Sequence, residues 1–165
     1  MNLDSIPAGA RVLIDANILI YARLGLSAEC RRLLERCLNR EIVGVVTTIA
    51  LAEFCHRRMM QEAQNRGLSG SNPARALAQN PGIVRALTGH RLEVEDLLAG
   101  ELLIVAVESG DFARALDLQR SHGLLTNDSL NLACGLRAGT SDLATADRQL
   151  QAAPSIRVWT PGDLP

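Results

Sequence analysis

Five short segments of the chain are apolar along nearly their whole length, and they alternate with segments of helical periodicity. The apolar segments cover residues 11–16, 42–47, 102–107, 142–146 and 156–159. Strands with apolar side chains on both faces are typical of a parallel sheet that is covered by helices on both sides. The alternation therefore predicts a three-layer α/β/α sandwich with a central, mostly parallel sheet.

The segments between the predicted strands have the spacing of amphipathic helices. Ser27 is a predicted N-cap, and the apolar residues that follow it recur every three or four positions. Thr48 is the predicted N-cap of the next helix, and a later helix over residues 127–137 is expected to stop at Gly139.

One stretch interrupts this regular alternation. Residues 65–82 are rich in glycine and proline and contain a short helical piece at residues 74–78. We therefore predict a helical arm or insertion near residues 59–100.

Length and composition fit one folded domain. A chain of 165 residues, 47% of them hydrophobic, is long enough for one buried core, so we expect a single domain over residues 1–165. The formal net charge of −1 gives no overall field that would attract a nucleic acid. The longest apolar run, residues 102–107, is roughly a third of the ~20 residues that a membrane span needs. We therefore expect a cytoplasmic protein, and we expect its four cysteines, which lack metal-binding spacing, to be buried as small hydrophobic residues.

The chain contains no lysine, since all 17 basic residues are arginines. A phosphate-binding loop of the P-loop type, a Schiff-base enzyme and an aspartyl-phosphate site all depend on a lysine, so these classes are disfavoured. The sequence also lacks the GxSxG, HExxH and GxGxxG motifs. Any chemistry must therefore come from carboxylates.

Four carboxylates stand near predicted strand ends or helix starts. They are Asp15, Glu53, Asp128 and Asp147. Ligands of open α/β sheets bind beyond the carboxyl ends of the strands. Four carboxylates that meet there repel one another unless a divalent cation neutralises them, and a ligand set of oxygen atoms suits Mg²⁺ or Mn²⁺. Asp142 lies at the opposite end of its strand and is expected to be a turn residue.

Each of the four carboxylates also has an ordinary structural explanation. Asp15 can cap the helix that follows it, and Asp128 and Asp147 can stabilise helix N-termini. Glu53 can form a surface ion pair with Arg57, four positions later on the same helix.

Four segments resemble the PIN-domain nucleases, and more narrowly the VapC-type ribonuclease toxins of toxin–antitoxin pairs. They are VLIDANILIYA at residues 12–22, TTIALAEF at 47–54, TNDSLNLA at 126–133 and LATADR at 143–148. The resemblance covers nearly the whole chain. The separation between the second and third segments is long for the family, and the excess falls in residues 65–82.

The resemblance implies a site and a reaction. Asp15, Glu53, Asp128 and Asp147 would form the family's acidic quartet, with Asn17 and Thr145 as polar supports. The quartet would hold Mg²⁺ or Mn²⁺ and hydrolyse an RNA phosphodiester bond. The resemblance further implies a homodimer and a small antitoxin partner whose segment occupies the groove and blocks the metal site.

Two other functions fit the same residues. One is a different metal-dependent hydrolase, such as a DNA nuclease or an RNA-maturation enzyme that is not a toxin. The other is a PIN-like scaffold that has kept only a binding role, in which case replacing any of the acids would leave function unchanged.

The sequence contains few clear signals for residues that would bind the substrate. The four aromatic residues are too few to stack many bases: Tyr21, Phe54, Phe112 and Trp159. Six arginines are candidates for phosphate contacts, although most are expected to lie on solvated helix faces: Arg23, Arg31, Arg32, Arg57, Arg58 and Arg148. Trp159, Met59 and Met60 are expected to pack in the core, and the two methionines are also candidates for a homodimer face.

Overall fold

A single parallel sheet forms the centre of the protein. The computed structural model describes residues 1–68, 72–147, 150 and 156–164. The strands are β1 (Arg11–Ile14), β2 (Val43–Thr47), β3 (Leu103–Val105), β4 (Asp142–Ala144) and β5 (Arg157–Trp159). Their order across the sheet is β3-β2-β1-β4-β5, and all four pairings are parallel. The predicted sheet is confirmed, and β1 is its central strand.

Helices follow the strands in the predicted alternation. They are α1 (Ala16–Arg23), α2 (Ala28–Leu38), α3 (Thr48–Asn65), α4 (Pro73–Gln79), α5 (Pro81–Ala86), α6 (Gly89–Ala99), α7 (Ser109–His122) and α8 (Thr126–Arg137), and a 3-10 helix spans Leu3–Ser5. Gly139, with φ of 78°, follows the end of α8 in a left-handed conformation, as expected for a helix stop. In the described part of the chain, no helix is long and apolar enough to cross a membrane.

The N-cap of α3 differs from the prediction by one residue. The side chain of Thr47, not that of Thr48, accepts a hydrogen bond of 3.1 Å from the backbone N–H of Ala50. Thr47 is the last residue of β2, and its extended backbone leaves the following residue free to start the helix. The hydroxyl of Thr48 instead accepts a bond of 3.3 Å from the backbone N–H of Val107, after β3.

Alternate residues of the strands supply two cores on opposite faces of the sheet. Val12 and Ile14 of β1 belong to the larger core, which α1, α2 and the first half of α3 cover. Leu13 points the other way, into a smaller core that includes Val45 and Leu143. Gly135 of α8 packs directly over Leu13, because a Cβ atom at this glycine would lie 2.7 Å from Leu13 Cδ2. The result is the predicted three-layer sandwich.

The second half of α3, together with α4, α5 and α6, forms the helical arm that was predicted near residues 59–100. Its own small core consists of Ala63, Leu77 and Leu87, with Met59, Met60 and Ile83 packed against them. The two methionines therefore pack in a core, as expected. Residues 69–71 of the glycine- and proline-rich stretch lie outside the described residues.

Other burial predictions are largely confirmed. Cys30, Cys37 and Cys134 are buried, and Cys55 is half-buried. Trp159 belongs to the larger core.

The prediction for Asp142 is wrong. Asp142 is the first residue of β4 and is only 8% exposed. Its carboxylate accepts hydrogen bonds from Trp159 Nε1 at 2.8 Å and from the guanidinium of Arg157 at 2.9 Å. Both partners lie on β5, so this carboxylate joins two strands instead of making a turn.

Candidate active site

Asp15 follows the last residue of β1 and serves two purposes at once. Its Oδ1 atom accepts a hydrogen bond of 2.7 Å from the backbone N–H of Ala16 and so caps α1. Its Oδ2 atom accepts bonds from Asn17 Nδ2 at 2.6 Å and from the Thr145 hydroxyl at 2.7 Å. The helix cap that the sequence allowed is therefore present, and it fixes the carboxylate at the edge of the sheet.

Asn17 and Thr145 connect the ends of the two central strands β1 and β4. Asn17 Oδ1 accepts a hydrogen bond of 3.0 Å from the backbone N–H of Ala146. The Thr145 hydroxyl accepts one of 3.0 Å from the backbone N–H of Asp147. The backbone at Asp147 is thus tied to the same network that holds Asp15, whereas the helix expected after Asp147 falls largely outside the described residues.

Glu53 lies on the first half of α3, which directly follows β2. Its neighbours Ala50 and Phe54 are buried in the larger core, which fixes this part of the helix against the sheet. Glu53 Oε1 lies 2.7 Å from the guanidinium of Arg57, so the surface ion pair that the spacing allowed is present.

Asp128 lies in the first turn of α8. This helix is held against the sheet by Asn131, which was not predicted from the sequence as a functional residue. The buried Asn131 accepts a hydrogen bond of 2.7 Å from the hydroxyl of Thr47, at the end of β2. The signal for Asn131 was present, since it is an amide among the apolar residues of α8.

The four carboxylates line one cavity beyond the carboxyl ends of the strands. Its volume is about 500 Å³, and its described lining residues are Asp15, Asn17, Glu53, Arg57, Leu125, Thr126, Asn127, Asp128 and Asp147. The structure therefore brings all four predicted carboxylates together at the edge of the sheet where the topology places a ligand site.

Burial and neighbouring negative charges raise the pKa of two of the carboxylates, Asp128 and Asp15. Desolvation, together with the negative charges of Asp15, Asp147 and Glu53, raises the pKa of Asp128 to about 6. Burial also raises the pKa of Asp15, despite hydrogen bonds from Thr145 and Ala16 that act in the opposite direction. Negative charge in this cavity is therefore poorly compensated, and it favours either a proton or a cation.

The donor set fits a hard divalent cation that is held partly through water. Mg²⁺ prefers oxygen ligands and usually keeps several of its waters, so it does not require contact with every carboxylate. Among the described residues, no three carboxylate, imidazole or thiol side chains are arranged to hold a metal ion as they stand. Both oxygens of Asp15 accept hydrogen bonds, and Glu53 is turned onto Arg57. Direct ligation through the Oε1 atom of Glu53 would therefore require that oxygen to leave Arg57.

Most of the candidate arginines are engaged away from the cavity. Arg23, Arg31, Arg32 and Arg58 pair with Asp96, Glu35, Asp4 and Glu93 respectively. Arg148 lies outside the described residues. Among the described candidates, only Arg57 lines the cavity.

Comparison with known proteins gives a family and a fold. A family model described as PIN domain matches residues 12–155. The chain is structurally similar to VapBC2 from Rickettsia felis bound to a promoter DNA fragment, with a TM-score of 0.60, 15% identity and coverage of 91% of this chain and 98% of that one. It is also similar to a toxin–antitoxin complex from Klebsiella pneumoniae, with a TM-score of 0.55, 17% identity and coverage of 88% and 94%.

A third structure with the same fold is VapC20 from Mycobacterium tuberculosis, described as a sarcin-ricin loop cleaving toxin. The TM-score is 0.50 at 14% identity, with coverage of 88% of this chain and 98% of that one. The sequence matches none of the curated proteins with which it was compared.

Proposed function

The chain belongs to the PIN domain family, and on this premise we propose that it is a metal-dependent ribonuclease and the toxin of a toxin–antitoxin pair. One observation carries the proposal. Four carboxylates from the ends of β1 and β4 and the starts of α3 and α8 line a single cavity at the carboxyl edge of the sheet. The substrate is the phosphodiester bond of RNA, and the reaction is hydrolysis.

In this proposal the acids hold Mg²⁺ or Mn²⁺ and activate water. Asp15, Asp128 and Asp147 hold the ion, directly or through water. When bound, the ion supplies positive charge against the negative charge that develops on the phosphate and on the leaving oxygen. Glu53 either joins the ligands or orients the attacking water and accepts its proton.

Asn17 and Thr145 position Asp15. Both donate hydrogen bonds to the same carboxylate oxygen, at 2.6 Å and 2.7 Å, so its orientation is fixed before a ligand arrives. A site whose groups are already in place loses little energy to reorganisation when charge develops.

The proposed partners are a small antitoxin and a second copy of the chain. Two of the structural neighbours are described as toxin–antitoxin assemblies, which supports an antitoxin partner for this chain. A segment of that antitoxin would occupy the groove over the acids and block the metal site. The homodimer rests on the family resemblance.

Cleavage of a mixed RNA by the purified protein tests the proposal. We expect cleavage with Mg²⁺ or Mn²⁺ and none with EDTA or with Asp15→Asn. Asp117→Asn is the matched control, because Asp117 is an exposed carboxylate on α7 outside the cavity. Circular dichroism establishes that each variant is folded.

Two further measurements separate the other functions. DNA of the same sequence in the same assay distinguishes a ribonuclease from a DNA nuclease. Induced expression in bacteria is expected to stop growth for the wild type and not for Asp15→Asn; RNA cleavage without growth arrest would instead indicate an RNA-processing enzyme. A folded protein that neither cleaves RNA nor binds Mn²⁺ would indicate the binding scaffold.

A further inference from the structure

Arg57 is the one cationic side chain among the described residues that line the acidic cavity. The same lining contains the four carboxylates. An RNA strand that enters this cavity therefore brings its phosphates towards an excess of negative charge. Beyond any bound cation, Arg57 is positioned to offset that charge by direct contact.

The contact that holds Arg57 is weak enough to be exchanged. Arg57 and Glu53 form an i,i+4 pair, and their side chains are 55% and 32% exposed. Exposed pairs of this kind contribute little to stability. A phosphate offers the guanidinium two oxygens in a geometry that matches its planar fork.

Arg58, the next residue of the same helix, has a structural role and provides a comparison for Arg57. Its side chain is only 15% exposed and donates two hydrogen bonds of 2.6 Å to Glu93 of α6, and a third to Gln61. The two bonds to Glu93 tie α3 to α6. In contrast, Arg57 makes a single ion pair among the described residues, and its partner is itself a proposed functional residue.

The first turn of α8 lies on the same cavity and favours the same ligand. Leu125, the N-cap residue, provides no side-chain cap, and Thr126 and Asn127 line the cavity directly after it. The positive end of a helix dipole favours anions. Arg57 and this helix end therefore give one acidic cavity two features that attract a phosphate backbone.

We propose that Arg57 binds a phosphate of the RNA substrate and exchanges Glu53 for that phosphate as the strand enters. The proposal rests on the ribonuclease function proposed above. It also couples two events, since the Oε1 atom of Glu53 becomes available to water when a phosphate takes over its arginine.

The salt dependence of RNA binding tests this role apart from catalysis. The probe is a fluorescein-labelled single-stranded RNA of mixed sequence, with Mg²⁺ present and Asp15→Asn as the background to suppress cleavage. We expect Arg57→Ala to weaken binding roughly fivefold and to reduce the slope of log affinity against log salt by about 0.7–0.9, as for the loss of one phosphate contact. Arg57→Lys keeps the positive charge, and so the slope, but lacks the planar guanidinium group. Its affinity should therefore fall by less than that of Arg57→Ala.

Two controls isolate direct contact. Arg91 forms an equivalent i,i+4 pair with Glu95 at 2.7 Å on α6, outside the acidic cavity, so Arg91→Ala should leave the slope unchanged. Removing Arg57 also leaves Glu53 unpaired, which by itself would repel RNA. In a Glu53→Gln background this indirect effect is absent, and the slope must still fall when Arg57 is replaced by alanine.

Equal slopes for Arg57→Ala and Arg91→Ala would overturn the inference, as would a slope change that disappears in the Glu53→Gln background. These outcomes leave the ribonuclease proposal intact when the wild-type protein cleaves RNA. A wild-type protein that neither binds nor cleaves RNA would overturn both proposals.

Discussion

The hydroxyl group of Thr145 donates a hydrogen bond of 2.7 Å to the Oδ2 atom of Asp15, across the boundary between two adjacent parallel strands. The same hydroxyl accepts the backbone N–H of Asp147. Thr145 is fully buried, so water cannot replace either bond. One side chain thus sets the positions of two of the four acids.

Replacing Thr145 by valine should keep its shape and remove these two hydrogen bonds, together with one of 3.2 Å that the hydroxyl accepts from Asn17 Nδ2. We expect the free energy of unfolding to fall by about 1–2 kcal/mol, because a buried N–H and a carboxylate oxygen each lose a partner. The pKa of Asp15 should rise further, since the Thr145 hydrogen bond lowers it. Urea unfolding measures the first effect, and an NMR pH titration of the Asp15 carboxyl group measures the second. Thr145→Ser retains the hydroxyl and should stay close to the wild type; equal losses in the two variants would contradict this account.

Neutralising Asp128 should stabilise the metal-free protein. The pKa of this group in the folded state is about 6, above its unfolded value near 4, so its ionisation costs stability as the pH rises between those values. After allowance for solvent screening, we expect Asp128→Asn to raise the free energy of unfolding by about 1 kcal/mol at pH 8, or Tm by about 2–4 °C. Thermal melts with EDTA at pH 8 and pH 4 check this, and the difference should vanish at pH 4. A less stable variant at pH 8 would exclude repulsion among the acids.

Glu62 should make the stability of the arm depend on acid pH. Burial opposes its ionisation, but hydrogen bonds from the backbone N–H groups of His90, Gly89 and Thr88 and from the His90 ring outweigh burial and lower its pKa to about 2. A depressed pKa contributes stability above the unfolded value near 4.5, and this contribution is lost as the pH falls towards 2. Glu62→Gln should therefore cost about 2–3 kcal/mol at pH 7 and almost nothing near pH 2, as measured by urea unfolding. A cost that does not change with pH would show that the charge is unimportant.

Two glycines in helices should respond to alanine with opposite signs. At Gly135 a Cβ atom would lie 2.7 Å from Leu13 Cδ2, so overpacking should exceed the gain in helix propensity and lower stability by about 1 kcal/mol. At Gly110, in the first turn of α7, nothing lies within 4 Å of the added atom, and stability should rise by about 0.5–1 kcal/mol. Melting temperatures of the two variants decide; two shifts of the same sign would contradict the close packing of α8 on β1.

Features of the fold that depend on neighbouring residues could be predicted from the sequence. The apolar segments identified all five strands, and the i,i+4 spacing identified the ion pair between Glu53 and Arg57. The N-cap of α3 was misplaced because two adjacent threonines are both suitable caps, and the end of β2 decides between them.

Features that depend on tertiary contacts could not be predicted in this way. The two partners of Asp142 lie 15 and 17 residues away on β5, and they come within reach only because the register of β4 and β5 sets Asp142 opposite Arg157. Asn131 and Thr47 are 84 residues apart in the sequence. The hydrogen bond between them forms only once α8 has packed on the sheet. The order of strands and helices predicted that the acids meet at one edge of the sheet, where the structure places them, but the orientation of Glu53 towards Arg57 became visible only in the structure.

The separate core of the arm has a consequence for how the protein opens. Among the described residues, three buried side chains form that core, whereas Asp15 follows the central strand of the sheet. Amide hydrogens of α4 and α5 should exchange with solvent through local opening, and those of β1 only when the whole domain unfolds. The helical arm can therefore open locally while the distances between the four acids stay the same.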